Sequence, residues 1–307
     1  MTTAKKKRGS AAVLVLVCLS ALLGSFSFAV NVGKYFHEKT STDVAAEAIA
    51  LSLATWEARH LNISAALNEA TVSCIKGIRL ILMKGAVSVG LAVHGNFGPI
   101  FRFSREGRKA VKKLWSLATK YSSLNRKVRK TYPLVLAESL RELCSYYDVK
   151  GIPFPLISGS KGKGNSSLIL PVVESPNLEI SGSIRAAIRK ARSYKPRNPF
   201  KKKLFKVAYS LFERILRAFF SLKGHAFLQV PARKAEELGK IHILAVSREK
   251  SPFLSSFYPK KYRTWSVAAA TVIPGDVFKP TWKSRLTEVS QKAKNSLLKS
   301  FSRGRKK

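Results

Sequence analysis

Residues 11–30, "AAVLVLVCLSALLGSFSFAV", contain no charged side chain. At 1.5 Å per residue a helix of that length measures about 30 Å, the thickness of a bilayer's hydrocarbon core. Such a segment is either kept as a membrane span or removed as a signal, and each outcome fixes where the rest of the chain can fold. Lys5, Lys6, Lys7 and Arg8 precede it, whereas Lys34, Glu38, Lys39 and Asp43 form a near-neutral flank after it. That asymmetry predicts a cytoplasmic N-terminus and an extracytoplasmic remainder. The rival is a cleaved signal peptide, with Ser27 and Ala29 as the small residues before a cut after Ala29. The run exceeds the usual signal core of about 7–15 residues, and helical sequence follows at once, which favours a retained anchor. Cys18 reads as a small membrane-buried side chain.

The remaining chain is long enough for one or two domains and has globular composition, 46% hydrophobic and 24% charged. Its charge is lopsided. Residues 1–100 carry 10 basic and 5 acidic side chains, and residues 101–307 carry 46 and 12. Whatever meets the basic surface meets the last two thirds of the sequence.

"KTSTDVAAEAIALSLATW", residues 39–56, begins nine residues after the apolar run. No Gly or Pro interrupts residues 34–70, so a helix is predicted there, capped by Ser41 or Thr42 or running on from the span. Ala45, Ala48, Leu51 and Ser52, then Trp56 and Leu61, recur at helical steps. Small faces allow close helix approach, so Ala45, Ala48, Leu51 and Ser52 are candidates for contact with another membrane-anchored subunit. Packing within the same domain accounts for the pattern equally well.

"RGSAAVLVLVCLSALLGSFSFAVNVGKYF" followed by "TDVAAEAIALSLATWEARHLN" resembles the N-terminus of TadE/TadG-like proteins of the Flp (tight adherence) pilus-assembly system. Asn31-Val32-Gly33-Lys34-Tyr35 matches a turn that usually begins with Asp. Ala45, Ala46, Glu47, Ala48, Ile49, Ala50, Leu51 and Ala54 match an alanine-rich register, with Glu47 in place of Asp. "IHILAVSREKSPFLSSFYPKKYRTWSVAAATVI" is more weakly similar to the family's two late strands. A prepilin-peptidase site wants Glu at the fifth residue after the cut. After Gly9 that residue is Leu14, so the resemblance is to the TadG-like branch, anchored by an uncleaved helix. Some of that branch carry a von Willebrand-type metal-dependent adhesion domain, but "ISGSK" and "ISGSIR" lack the leading aspartate. The resemblance implies a bacterial cell-envelope component that works with other pilus-assembly subunits.

Beyond residue 95 the sequence reads as α+β. The predicted plan is a cytoplasmic basic tip (1–10), a transmembrane helix (11–30), a helical stalk (31–95), a basic domain of helices and antiparallel strands (96–275) and a basic tail (276–307). Residues 105–124 are amphipathic, with Val111, Leu114 and Ala118 opposite Lys109, Lys112, Lys113 and Lys120. A second helix is expected over residues 133–147 and a loop over 151–167, where Gly, Pro and Ser concentrate. "LILPVV", "HAFLQV", "IHILAV" and "TWSVAAATVI" have strand character, and Pro171 pushes the first toward a sheet edge. "NPFKKKLFKVAYSLFERILRAFFSLKG" is a helix whose polar positions, Lys206, Ser210, Glu213, Arg214, Arg217 and Ser221, form one narrow stripe. It reads as a core helix, with a membrane-interface helix as the rival. Residues 74–93 form another mostly apolar twenty and raise the possibility of a second span. Lys76, Arg79 and Lys84 argue against it, since a lysine at mid-membrane costs about 2.5–3.5 kcal/mol.

Membrane lipid and other envelope subunits are therefore the expected partners. Arg126, Lys127, Arg129, Lys130, Lys201, Lys202 and Lys203, with the terminal "RGRKK", are the candidate basic patch. Anionic envelope polymers fit such a patch. Nucleic acid is less favoured, because no recognised nucleic-acid motif accompanies the charge. Catalysis has little support: the five histidines stand without metal-ligand spacing, and "GSKGKG" lacks the form of a phosphate loop. The expectation is a non-enzymatic protein of the cytoplasmic membrane with no cofactor. Cys74 and Cys144 could pair if the domain is exported.

Overall fold

The computed structural model describes residues 3–154, 172–176, 178, 180–220, 222, 225–231, 240–253, 261–273, 275–291, 293–295 and 297. The loop expected at 155–167, Pro171, Ser221 and the terminal residues 303–307 lie outside them.

One helix organises the molecule. α1 (Thr3–Val93) runs for 91 residues, so the expected span, the alanine-rich stretch and residues 74–93 are one element. Neither Ser41 nor Thr42 starts a helix; the Thr42 hydroxyl instead donates back to the Glu38 carbonyl. α1 stops at a left-handed turn. Gly95 has φ +89°, Gly95 N–H donates to the Ala92 carbonyl, and Asn96 N–H donates to the Leu91 carbonyl. This paired closure satisfies the last carbonyls, and only glycine adopts that φ without strain.

The chain then reverses. α2 (Gly98–Arg102) starts with Pro99 in its first turn, passes through a π-turn (Phe103–Gly107) and continues as α3 (Arg108–Tyr146). α3 descends antiparallel to α1: Leu114 sits over Gly77, Asn125 meets Ser64 and Asn68, and Tyr132 meets His60. The two helices expected at 105–124 and 133–147 are thus one. Pro133 lies inside α3, where its missing N–H removes one helical hydrogen bond without ending the helix.

Four strands form an antiparallel sheet in the order β1 (Val149–Phe154), β4 (Lys240–Ser247), β5 (Trp265–Ile273), β6 (Lys283–Thr287). β2 (Val172–Glu174) and β3 (Gln229–Pro231) form a separate antiparallel ribbon. β4 and β5 are the expected late strands, and their register pairs Leu244 with Val267. Two expectations are corrected here. Residues 151–154 belong to β1, held by β4, and are not loop. The segment read as a basic tail contributes β6, together with Ala293 and Leu297, both buried.

Two apolar cores flank α1 at different heights. In the lower one Ala45, Ile49, Leu53 and Leu61 pack with Tyr132 and Leu136 of α3 and with Ile241, Ile243, Ala268 and Ala270 of the sheet. In the upper one Ile78, Leu82, Ala86 and Val89 pack with α3, α4 (Ser181–Arg192) and α5 (Pro199–Phe220). α5 is a core helix, as expected: Phe205, Phe212, Leu216 and Phe219 are buried against this cluster. Residues 31–95 are therefore no separate stalk, since most of that stretch is the spine of the domain. Residues 74–93 do not turn back as a second span; they are the last turns of α1, inside the upper core.

Close approach in the upper core is tightest at Gly85, with Gly107 nearly as close to the same ring. A Cβ on Gly85 would lie 2.5 Å from the ring of Phe103, which itself packs 5.7 Å from Phe212.

Candidate functional site

From residue 11 to residue 26 every residue of α1 is exposed. Leu14, Leu16, Leu22 and Phe28 are each more than 60% exposed, and no described element covers them. The apolar helix is long enough to cross a membrane. That much contiguous exposed apolar surface is rare on a soluble monomer and marks a membrane or partner surface. Ser27 alone in this stretch is buried, at 3% exposure. The domain therefore begins to cover α1 slightly before the apolar run ends.

Three asparagines of α1 fasten distant segments to it by paired bonds. Asn31 accepts from Phe253 N–H at 2.6 Å and donates to the Phe253 carbonyl at 3.4 Å. Asn62 does the same to Trp282, at 2.9 and 3.1 Å. Asn68 accepts from Gln229 N–H at 3.0 Å and donates to the Gln229 carbonyl at 2.7 Å. A side-chain amide thus replaces a strand partner, satisfying one backbone donor and one acceptor at each point. From sequence Asn31 reads as a turn position, and Asn62 and Asn68 carry no assigned role. The available signal was asparagine inside an uninterrupted helix, where its propensity is poor.

The four residues proposed for subunit contact are distributed unevenly. Ala45 is fully covered by the chain's own sheet, within the lower core, so a second subunit has no access to it. Ala48, Leu51 and Ser52 are half-buried along the border of that contact. The small side chains serve close packing here, with Ile241, Ile243 and Ala268 as the partners of the alanine face.

The candidate basic patch is two separate sites. Arg126 is held by Glu174 through two hydrogen bonds of 2.9 and 2.8 Å, and its guanidinium lies 4.4 Å from the centre of the Phe227 ring. Glu174 is correspondingly more acidic than usual, chiefly through that hydrogen bond. Arg129 turns inward toward Gln229. Lys127 and Lys130 remain exposed on α3, at the level of Ser64 on α1. Lys201, Lys202 and Lys203 lie in the first turn of α5, a helix whose middle lines a groove with Phe97 and Phe101 beyond the end of α1. The 29 helical steps from Ser64 to Val93 span about 44 Å along α1. What α3 does offer is a stripe: Lys113, Lys120, Lys127 and Lys130 are all exposed and recur at helical steps.

Between the two cores lies a buried polar belt. Ser64 donates to Asn125 at 2.9 Å, Asn125 donates to Asn68 at 3.1 Å, and Ser122 donates to the Phe227 carbonyl at 3.0 Å. Below it His60 stacks on Tyr132, with ring centres 4.2 Å apart, beside the buried Glu57. Burial, and secondarily the Arg129 charge, pushes the His60 pKa down to about 4. Burial and the nearby Glu57 carboxylate raise that of Tyr132, whose hydroxyl has no hydrogen-bond partner among the described residues. A neutral histidine stacked on a neutral tyrosine, closed to solvent, is an internal packing element with no route for a substrate.

Cys74 and Cys144 are unpaired: Cys74 packs in the upper core, and Cys144 lies beside the lower one against Gly151. Among the described residues no group of three His, Cys, Asp or Glu side chains could hold a metal. No family model matches the sequence, and neither a curated protein nor a solved structure matches it.

Proposed function

We propose that this chain is a single-pass membrane-anchored protein of the bacterial cell envelope, acting by contact with other envelope components and not by catalysis. One observation carries the reading: twenty uncharged residues, bare on the outside of α1, lead without a break into a folded domain. The N-terminal cluster Lys5–Arg8 supports a cytoplasmic start with the domain outside. The likeness of residues 8–70 to TadE/TadG-like proteins supports placement among pilus-assembly components. With Ala45 covered, the surface left for a partner subunit is the border of Ala48, Leu51 and Ser52.

The test has two parts. Alkaline extraction of membranes should leave the full-length protein in the pellet, and intact mass should include residues 11–30. A mature start at Val30 sinks the anchor. A periplasmic reporter fused after Lys307 should be active, and a silent one reverses the orientation.

A second reading has its own support, the lysine stripe on α3. A row of exposed cations binds an anionic polymer through counterion release, with affinity that falls steeply with salt. Under this reading Lys120→Gln with Lys127→Gln lowers binding to teichoic acid, lipopolysaccharide or single-stranded DNA several-fold. Unchanged binding removes the stripe from consideration.

A further inference from the structure

The connection between β4 and β5 meets α1 where the apolar run ends. Phe253 N–H and carbonyl are clamped by Asn31, and the Phe253 ring lies edge-on to Phe26 with centres 6.4 Å apart. Phe26 is four residues, about 6 Å, inside the end of the run. On the other side the Lys34 ammonium sits 5.5 Å from the same ring. Phe253 is thus bracketed between a residue of the span and a cation just beyond it. One turn further along, Tyr35 packs against Tyr262 at 5.9 Å, and Lys39 lies over the exposed Trp265 at 5.9 Å. The result is a collar of aromatic rings and lysines around the end of a bare apolar helix.

Aromatic rings with polar edges partition to the headgroup level of a bilayer, and lysine ammonium groups reach phosphate there. An apolar element held at such a boundary enters by about 5–10 Å, and Phe26, the ring that Phe253 meets, lies within that distance of the end of the run. We propose that the described ends of the β4–β5 connection, residues 251–253 and 261–262, form a membrane-interface wedge. Phe253 enters the boundary between headgroups and acyl chains, while Lys34 and Lys261, both exposed, contact the phosphates of anionic phospholipid. The occupant is the bilayer that holds the span, because the surface is continuous with that span and carries the complementary charge. The proposal rests on residues 11–30 being a membrane anchor.

Photo-crosslinking of the full chain in nanodiscs of phosphatidylcholine and phosphatidylglycerol tests it. p-Benzoylphenylalanine replaces Phe253, Leu19 or Val44 in turn, Val44 being exposed on α1 about 20 Å beyond Asn31. The expected result is a lipid adduct at 19 and at 253, with at least tenfold less at 44. No lipid adduct at 19 overturns the anchor and the wedge together. Lipid at 19 but not at 253, or an adduct at 253 only to protein, overturns the wedge and leaves the anchor standing. Replacement of the exposed Ser251 gives an independent readout should the larger ring disturb the Asn31 clamp, and absence of lipid there too is decisive against the wedge. Adducts at 253 should favour phosphatidylglycerol beyond its share of the bilayer. Lys34→Gln with Lys261→Gln should cut that preference about fivefold per lysine removed. An adduct ratio equal to bilayer composition in the unsubstituted protein overturns the phosphate contact.

Discussion

α1 contains two twenty-residue apolar stretches of opposite fate. Residues 11–30 are exposed nearly all round, while in residues 74–93 Cys74, Ile78, Leu82, Ala86, Val89 and Val93 are buried against α3, α4 and α5. The difference lies in period. In the second stretch Lys76, Arg79, Leu80, Lys84, Val87 and Leu91 are exposed, so its charges mark a solvent stripe and its apolar residues fill the complementary face. The first stretch has no stripe at all, and an apolar helix without one needs a solvent that is apolar on every side. Equal length and similar composition decide little until the positions of the charges are read.

The largest test of that contrast is a charge placed in each stretch. Leu82→Arg should destroy the folded domain, at a cost above about 4 kcal/mol, because no partner can reach an arginine in the upper core. It is read as loss of protease resistance in detergent. Leu19→Arg should leave that resistance intact and lower the inserted fraction instead. If both variants lose resistance, the two stretches are not independent.

Acid separates them next. His60 is neutral when folded, with a pKa of about 4, and takes a proton more readily once unfolded, near its ordinary 6.5. The His60 contribution to stability is therefore full above pH 6.5 and is lost as pH falls toward 4, by on the order of 3 kcal/mol. Urea midpoints across that range should show the decline, and His60→Phe should flatten it. The span has no group that titrates there, so membrane retention should stay constant.

Glycines give a finer comparison. Gly85→Ala forces a methyl group against the Phe103 ring and should cost about 1–3 kcal/mol. Gly24→Ala meets nothing within 4 Å and should leave the domain unchanged. Equal effects would place the first stretch inside a packed environment.

The smallest effect is a gain. Tyr132→Phe removes a buried hydroxyl that has no partner among the described residues while keeping the ring stacked on His60, and should raise stability by about 1 kcal/mol. A loss would reveal a hydrogen bond made by that hydroxyl.

Local pattern carried much of the fold. The charge-free run, the helix through residues 34–70, the pairing partners β4 and β5 and the buried face of α5 were all legible, because each is written in periodicity or in breaker residues. β1 was hidden because "GIPF" carries loop residues, and only β4 beside it makes it a strand. β6 was hidden by its charge, since an edge strand keeps Lys283 and Arg285 in water. Pro133 suggested a boundary that packing of Tyr132 and Leu136 overrides. Of the candidate contact face, Ala45 was legible as a packing residue but not by what it packs against. Small side chains specify closeness and leave the neighbour unnamed.

The unbroken course of α1 has a mechanical consequence. Its residues from Asn31 to Val93 extend about 93 Å beyond the apolar run, and the domain is bolted along most of that length. There is no linker in which motion can dissipate. On the proposed anchoring, a 10° change in tilt of the apolar end would sweep the far tip by about 16 Å, and thinning or thickening of the bilayer, to which spans respond by tilting, would be read at Gly95 as displacement. With residues 11–30 anchored as proposed, the chain is a lever whose fulcrum is the bilayer surface.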